Sequence, residues 1–130
     1  MNYALVVQGA PVSSQSCQTA LTFARTAIKR GHRIQRVFFF RDGVHAGSAL
    51  AVLPRDEQDL SAQWRDLGRE QGIDLVVCVS AALKRGVLDK EQADRYGRSV
   101  GNLVQPFVLS GLGQLVDAVV TADRVVTFGN

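Results

Sequence analysis

One cysteine of this sequence stands where a reactive thiol could work. Cys78 lies near the carboxyl end of the apolar run 73–79, which is typical of a buried strand, and Ser80, Lys84 and Arg85 follow it. Backbone amides and nearby positive charge lower the pKa of a thiol, and the thiolate is the form that attacks other sulfur atoms. A free cysteine between valines also packs well as a small hydrophobic residue. The residue types alone therefore leave a reactive thiol and a core thiol equally open.

Two familiar kinds of cysteine chemistry do not fit the spacing around Cys78. Tyrosine-phosphatase-type enzymes use a Cys-x-x-x-x-x-Arg pattern, whereas six residues separate Cys78 from Arg85, and Lys84 stands where the arginine would be. No glycine lies between Cys78 and Arg85, so a tight phosphate-binding loop is hard to build there. A thioredoxin-type redox site needs a Cys-x-x-Cys pair, and the sequence has none.

The remaining candidate residues favour structural or solvated roles. Cys17 falls on the apolar stripe of a predicted helix, which favours a buried core thiol over a relay role. His45 lies in a polar loop and is predicted to be solvated, with a proton-shuttling role left open. The two cysteines and two histidines lack the spacing of a ligand set, so we expect no metal site. Nucleotide binding has little support, because the sequence contains neither a Gly-x-Gly-x-x-Gly nor a Walker motif.

Length and composition predict one ordinary globular domain over residues 1–130. Hydrophobic residues make up 46% and charged residues 21% of the chain. The net charge of +3 is scattered, and the only adjacent basic pairs are Lys29-Arg30 and Lys84-Arg85, so we expect no direct nucleic-acid binding. No apolar stretch approaches the roughly 20 residues of a membrane span, and the first residues lack the pattern of a signal peptide. These features favour a cytoplasmic protein with reduced thiols.

Short apolar runs alternate with helical patterns along the chain. The first helix is predicted to end at Gly31 and to begin at one of three competing N-cap serines, namely Ser13, Ser14 and Ser16. The predicted strands span residues 3–7, 34–40, 73–79, 107–109 and 124–128.

Three further helices are predicted between the later strands. One opens at Asp56 with Asp59 three residues on, and another is capped by Asp89 with Gln92 and runs to about residue 96. The last helix begins at Ser110. Its predicted apolar face consists of Leu112, Leu115, Val116 and Val119.

Strands that are separated by helices pair in parallel through right-handed crossovers. The expected fold is therefore α/β, a three-layer α/β/α sandwich around a mainly parallel five-stranded sheet, flavodoxin-like in outline. In such sheets, sites form beyond the carboxyl ends of the strands. The candidate loops are then residues 9–16, 41–54, 78–89 and 109–113.

Several separated motifs resemble one known family. They are the run 36–40 followed by Asp42-Gly43-Val44, the run 77–82 followed by Arg85-Gly86, and the C-terminal runs 109–115 and 123–126. In this order and nearly from end to end, the chain resembles the DsrE family of bacterial sulfur-relay proteins. The resemblance implies a DsrE-like sulfurtransferase domain and adds support to the α/β sandwich.

The resemblance also implies a role for Cys78. In the family, the cysteine at this position accepts a sulfur atom as a persulfide and passes it on, which requires no metal or organic cofactor. The implied partners are TusC/DsrF-like and TusB/DsrH-like subunits in a dimer of heterotrimers. A TusA-like protein would donate the sulfur, and a TusE/DsrC-like protein would accept it. The implied end product is 2-thiouridine at the tRNA wobble position, with dissimilatory sulfur oxidation as the alternative.

Two other function classes stay open at this point. A non-catalytic scaffold subunit of such a complex is one, although the cysteine at the matching position favours an active subunit. A flavin- or ligand-binding module is the other, and the missing phosphate loop disfavours it. For an active subunit, we hypothesise that helix-terminal amides and Lys84 or Arg85 stabilise the Cys78 persulfide anion.

Overall fold

The sheet has the predicted parallel architecture. The computed structural model describes residues 1–129, and its strands are β1 (Asn2–Val7), β2 (Arg33–Phe39), β3 (Asp74–Cys78), β4 (Val108–Ser110) and β5 (Arg124–Phe128). Their order across the sheet is β4-β3-β2-β1-β5, and every pair is parallel. Each strand lies within one residue of its predicted bounds, because buried apolar runs mark both ends clearly.

The connections contain more helix than the sequence pattern indicates. They are α1 (Ser16–Lys29), a 3₁₀ helix (Arg41–Gly47), α2 (Leu60–Gln71), α3 (Val79–Lys84), α4 (Lys90–Arg95) and α5 (Gly113–Thr121). The 3₁₀ helix and α3 lie in segments for which the sequence predicts loops. Each of these helices is too short to show helical periodicity in the sequence. No helix within residues 1–129 is long and apolar enough to cross a membrane.

The N-caps of the first two long helices differ from the prediction. None of the three serines caps α1, because Ser16 is its first helical residue and Ser14 Oγ accepts the N–H of Ser16 at 3.2 Å, which closes the preceding turn instead. Asp59, and not Asp56, caps α2 by accepting the N–H of Ala62 at 3.0 Å. Both differences arise where several capping residues compete within a few positions.

The predicted start of α4 is correct, and the predicted start of α5 is wrong. Asp89 caps α4 as predicted, and its Oδ1 accepts the N–H of Gln92 at 2.8 Å. Ser110 does not begin α5, because it still belongs to β4, where it pairs with Cys78 of β3. The helix begins three residues later at Gly113.

Helices cover both faces of the sheet. Trp64 of α2 packs edge-on against Phe39 of β2, with ring centroids 5.5 Å apart. Arg36 lies an odd number of residues away on the same strand and therefore points to the opposite face. There its Nη1 contacts the Asp117 carboxylate of α5 at 2.9 Å. The α/β/α sandwich is thus confirmed, with α2 and α5 on opposite sides.

Helix α5 has the predicted apolar stripe, but most of this stripe is exposed to solvent. Only Ala118 of this helix is buried, and Leu115 is half-buried. Three residues of the predicted face, Leu112, Val116 and Val119, are more than half exposed. The neighbouring Val120 is also more than half exposed. Periodicity identifies an apolar stripe without telling whether the chain itself covers it.

One glycine allows the 3₁₀ helix to lie against the carboxyl end of β1. A Cβ at Gly43 would stand 2.2 Å from the carbonyl oxygen of Val7, which is closer than any side-chain carbon can approach. The same contact lets the N–H of Gly43 donate to the Gln8 carbonyl at 3.2 Å. Gly43 therefore fixes the position of the segment that follows β2 at the carboxyl edge of the sheet.

Gly43→Ala should lower the free energy of unfolding by about 2 kcal/mol or more, since backbone must shift to admit the methyl group. Urea unfolding followed by the fluorescence of Trp64, the only tryptophan of the chain, measures this change. The matched control is Gly113→Ala, where a Cβ meets no atom within 4 Å and alanine suits the start of α5. Equal free energies of unfolding for Gly43→Ala and the wild type would contradict the close approach.

Candidate functional site

Cys78 occupies the carboxyl edge of the sheet. It is the last residue of β3, which lies between β2 and β4, and it pairs with Ser110 at the end of β4. Its side chain is buried, with an exposed fraction of 1%. The sequence thus predicted correctly that the thiol lies where the strand ends, and the structure adds that the thiol is covered.

Cys78 also immediately precedes a helix. It is the N-cap of α3, with extended backbone angles of φ −61° and ψ 120°. The first-turn N–H groups of a helix lack intrahelical partners, so unpaired donors adjoin this cysteine. Its Sγ lies 3.5 Å from Oγ of Ser80, a residue that is exposed. The Ser80 hydroxyl therefore links the buried sulfur atom to the surface and can donate a hydrogen bond to a sulfur anion.

Arg85 follows α3 and ties this helix to the 3₁₀ helix. Its Nε donates to Asp42 Oδ1 at 2.7 Å, and its Nη1 donates to the Ala81 carbonyl at 3.1 Å. The hydrogen bond from Arg85 lowers the pKa of the Asp42 carboxyl below its usual value, with smaller contributions from the charges of Arg85, His45 and Arg41. An exposed pair of this kind contributes little to stability, but it fixes the geometry of the two segments.

Lys84 is the exposed last residue of α3. A rise of about 1.5 Å per residue places its Cα about 9 Å from Cys78 along the helix axis. Within residues 1–129, neither Lys84 nor Arg85 forms a hydrogen bond with the Cys78 sulfur atom. Their joint action on a sulfur anion therefore stays a prediction, and the structure gives Arg85 a contact with Asp42 that the sequence did not indicate.

Cys17 is a core thiol, as the helical stripe predicted. It is fully buried, and Nε1 of Trp64 donates to its Sγ at 3.3 Å. Burial raises the pKa of Cys17 from 9.0 to about 11, and the hydrogen bond from Trp64 offsets only part of this rise. A neutral, enclosed thiol is a poor nucleophile.

His45 lies on the 3₁₀ helix and is exposed. It borders an open cavity of about 510 Å³ together with Asp42, Ser48 and residues of the loop after β1. No hydrogen bond connects it to Cys78 in the part of the chain that the structure describes, so its role as a proton shuttle stays a prediction. The same part of the chain contains no cluster of three or more potential metal ligands.

Sequence comparison decides the family. The model of the DsrE/DsrF-like family matches residues 1–128. This chain belongs to the DsrE/DsrF-like family. Within it, a protein named sulfurtransferase TusD homolog from Pseudomonas aeruginosa is 52% identical over 119 residues, covering 92% of this chain and 91% of that protein. A DsrE protein from Allochromatium vinosum is 41% identical over 130 residues, covering all of both chains.

A solved structure shares the fold of this DsrE/DsrF-like chain. The YchN protein from E. coli superposes with a TM-score of 0.72 and 22% sequence identity, covering 98% of this chain and all of that one. At this identity the likeness concerns the fold alone. It agrees with the parallel sheet that places Cys78 at a carboxyl edge.

The raised pKa of Cys17 leads to a pH prediction. The folded pKa of Cys17, about 11, exceeds the ordinary value of 9.0, so the unfolded chain loses this proton first as pH rises. The contribution of the neutral thiol is complete below about pH 9 and is lost as pH rises toward the folded pKa, at a cost of about 2–3 kcal/mol.

Cys17→Ala should therefore show a smaller loss of stability than the wild type between about pH 8 and pH 11. Urea unfolding at both pH values, followed through Trp64, measures the difference between the two proteins. If the free-energy difference between wild type and Cys17→Ala is the same at both pH values, the raised pKa of Cys17 is wrong.

Proposed function

We propose that this chain is a sulfurtransferase subunit of a sulfur-relay complex and that Cys78 carries the sulfur as a persulfide. The observation that carries the proposal is the position of Cys78 at the carboxyl edge, at the start of α3 and beside the Ser80 hydroxyl. The relatives named sulfurtransferase support the activity class, because they match nearly the whole chain. Cys17 is the poorer candidate because burial raises its pKa to about 11, which keeps the thiol neutral at physiological pH, and because its sulfur atom contacts the core residue Trp64.

The proposed reaction is an exchange between sulfur atoms. The Cys78 thiolate attacks the terminal sulfur of the donor's persulfide and forms a new S–S bond while the donor's own S–S bond breaks. The donor leaves as a thiolate, and the terminal sulfur keeps its proton, so no net oxidation occurs. In the second step the acceptor's thiolate attacks the terminal sulfur on Cys78 in the same way. A TusA-like protein is the proposed donor, and a TusE/DsrC-like protein is the proposed acceptor.

Burial of Cys78 sets a condition on this exchange. A thiol with 1% of its surface exposed cannot meet a partner's sulfur unless the covering segment moves. Ser80, in the first turn of α3, lies 3.5 Å from the Cys78 sulfur atom, and the other end of this helix is held by Arg85 through Asp42 and the Ala81 carbonyl. We infer that the Cys78 end of α3 opens on contact with the partner. The Ser80 hydroxyl then supplies a hydrogen bond to the sulfur anion.

Lys84 and Arg85 are proposed to contribute positive potential at Cys78. The distance of about 9 Å along α3 and solvent screening keep the contribution of Lys84 small. Arg85 is partly neutralised by Asp42, so its main effect is to hold the 3₁₀ helix in place. First-turn amides and Ser80 are therefore the nearer sources of anion stabilisation.

An exposed apolar surface supports membership of a complex. It is the exposed side of α5, formed by Leu112, Val116, Val119 and Val120. Two further exposed valines, Val108 and Val125, lie on the edge strands β4 and β5 at opposite ends of the sheet. An exposed apolar helix face of this kind is typical of a protein interface. We propose TusC/DsrF-like and TusB/DsrH-like subunits as the partners, in a dimer of heterotrimers. Size-exclusion chromatography after co-expression tests this assignment, and elution of this chain as a monomer would contradict it.

The proposed end product is 2-thiouridine at the tRNA wobble position, formed in the cytoplasm. The TusD homologs from P. aeruginosa and Vibrio parahaemolyticus are the basis for preferring this pathway, at 52% and 44% identity. The DsrE protein from A. vinosum, at 41% identity, keeps dissimilatory sulfur oxidation as the second candidate. Loss of wobble thiolation after deletion of the gene distinguishes the two, and unchanged thiolation would contradict the first.

The proposed function predicts added sulfur on Cys78. The chain is incubated with a cysteine desulfurase, cysteine and a TusA-like carrier, with and without its two partner subunits, and its intact mass is measured. We expect a mass increase of one sulfur atom that reduction removes and that Cys78→Ser abolishes. The matched control, Cys17→Ala, removes the other cysteine and should leave the added sulfur unchanged. No added sulfur in the assembled complex would favour the non-catalytic scaffold.

A second prediction concerns the basic pair after α3. Replacing Lys84 and Arg85 together with glutamine should slow alkylation of Cys78 by iodoacetamide at neutral pH by about two- to fivefold, because the loss of positive potential disfavours the reactive thiolate. The matched control replaces Lys29 and Arg30, which also lie at the end of a helix, with glutamine. If the Lys84/Arg85 variant and the wild type had equal alkylation and transfer rates, neither residue would act on Cys78.

A further inference from the structure

A basic groove lies between the ends of α3 and α4. It has a volume of about 450 Å³ and is lined by Leu83, Lys84, Gly86, Leu88, Tyr96 and Arg98. Lys84 is the last residue of α3, and Tyr96 directly follows α4. The groove therefore begins at the end of the same short helix that starts at Cys78.

The charge of this groove is positive and uncompensated. Its lining contains two cations, Lys84 and Arg98, and no acidic residue. Within residues 1–129, neither cation forms an ion pair. The nearest carboxylates in sequence are engaged elsewhere, since Asp89 caps α4 and Asp94 contacts Lys90 at 3.0 Å. An anionic ligand would thus meet two cationic side chains that form no ion pair in this part of the chain.

The helix ends at the groove do not cancel this charge. Carbonyl groups at a helix C-terminus would repel an anion if they were unpaired. Here the Ala82 carbonyl accepts the N–H of Val87 at 2.9 Å, and the Ala93 carbonyl accepts the N–H of Arg98 at 2.8 Å. Both helices also have only six residues, so their dipoles are small. The side chains of Lys84 and Arg98 therefore dominate the potential.

The groove also offers an apolar and aromatic wall. The Tyr96 side chain is 50% exposed, and the guanidinium of Arg95 lies 5.6 Å from its ring centroid. Arg98 Nη1 donates to the Tyr96 carbonyl at 2.9 Å, which holds the two residues together. Leu83 and Leu88 complete the wall. Such a combination suits a ligand that carries both carboxylates and an apolar side chain.

We propose that this groove binds an acidic segment of a partner protein, with an apolar side chain seated against Tyr96 and carboxylates on Lys84 and Arg98. Two free cations and one aromatic ring make a small footprint, whereas RNA binding uses a longer run of phosphate contacts. The inference rests on the proposed relay function in one respect only. A segment held here would bring its protein to the far end of α3, about 9 Å along the helix from Cys78.

The test uses peptides and no sulfur, so it is independent of persulfide transfer. A fluorescein-labelled peptide Glu-Glu-Leu-Phe-Glu-Glu is titrated with the full-length chain, and its anisotropy is followed at low salt. The joint charge reversal Lys84→Glu with Arg98→Glu should weaken binding about tenfold. Tyr96→Ala should weaken it as well, because the aromatic wall is lost. Trp64 fluorescence verifies that each variant is folded.

The matched control reverses the other adjacent basic pair, with Lys29→Glu and Arg30→Glu at the end of α1. This control should leave the affinity within about twofold of wild type, since it changes net charge without touching the groove. The proposal is overturned by equal weakening in the control or by no wild-type binding at about 1 mM chain. It is also overturned if labelled hexauridylate binds more tightly than the peptide and loses that binding in the Lys84/Arg98 variant.

Discussion

The site depends on the parallel pairing of β3 with β2 and β4. Because all three strands end at the same edge, the pairing brings Cys78 beside Ser110 at the carboxyl edge of the sheet. Helices on the two sides of the sheet bury β3 on both faces, so its last residue lies at the edge with its thiol covered. Gly43 completes the arrangement by letting the 3₁₀ helix approach the end of β1. The strand pairing thus sets the position of the thiol, and the helices on the two faces of the sheet set its burial.

The burial of Cys78 explains how the proposed relay could protect its sulfur. A persulfide that stands freely in solvent reacts with any available thiol, whereas one that is covered reacts only when a partner uncovers it. The thiol must be covered at rest and uncovered by a partner. The short helix α3 links these two states to the basic groove, because it begins directly after Cys78 and ends at Lys84 beside the groove. In our account, a partner segment in that groove acts on the end of α3 that lies farthest from Cys78. Arg85 and Asp42 limit how far this end can move.

The sequence predicted what depends on local pattern and missed what depends on distant contacts. The apolar runs located all five strands, and the position of Cys78 at a strand end followed from them. Helix α3 was missed because six residues show no periodicity, and the pair between Arg85 and Asp42 was missed because 43 residues separate its partners. The apolar stripe of α5 was identified correctly. Its exposure depends on how the helix packs in the folded chain, which the sequence pattern of the stripe does not show.

The most direct test of the central claim follows sulfur out of Cys78. The chain is loaded with heavy-isotope sulfur in its partner complex and mixed with a TusE/DsrC-like acceptor, and the intact masses of both proteins are recorded over time. The account predicts that heavy sulfur leaves Cys78 at the rate at which it appears on the acceptor. Sulfur that stays on Cys78, or an acceptor that gains sulfur equally fast with the Cys78→Ser chain, would contradict it.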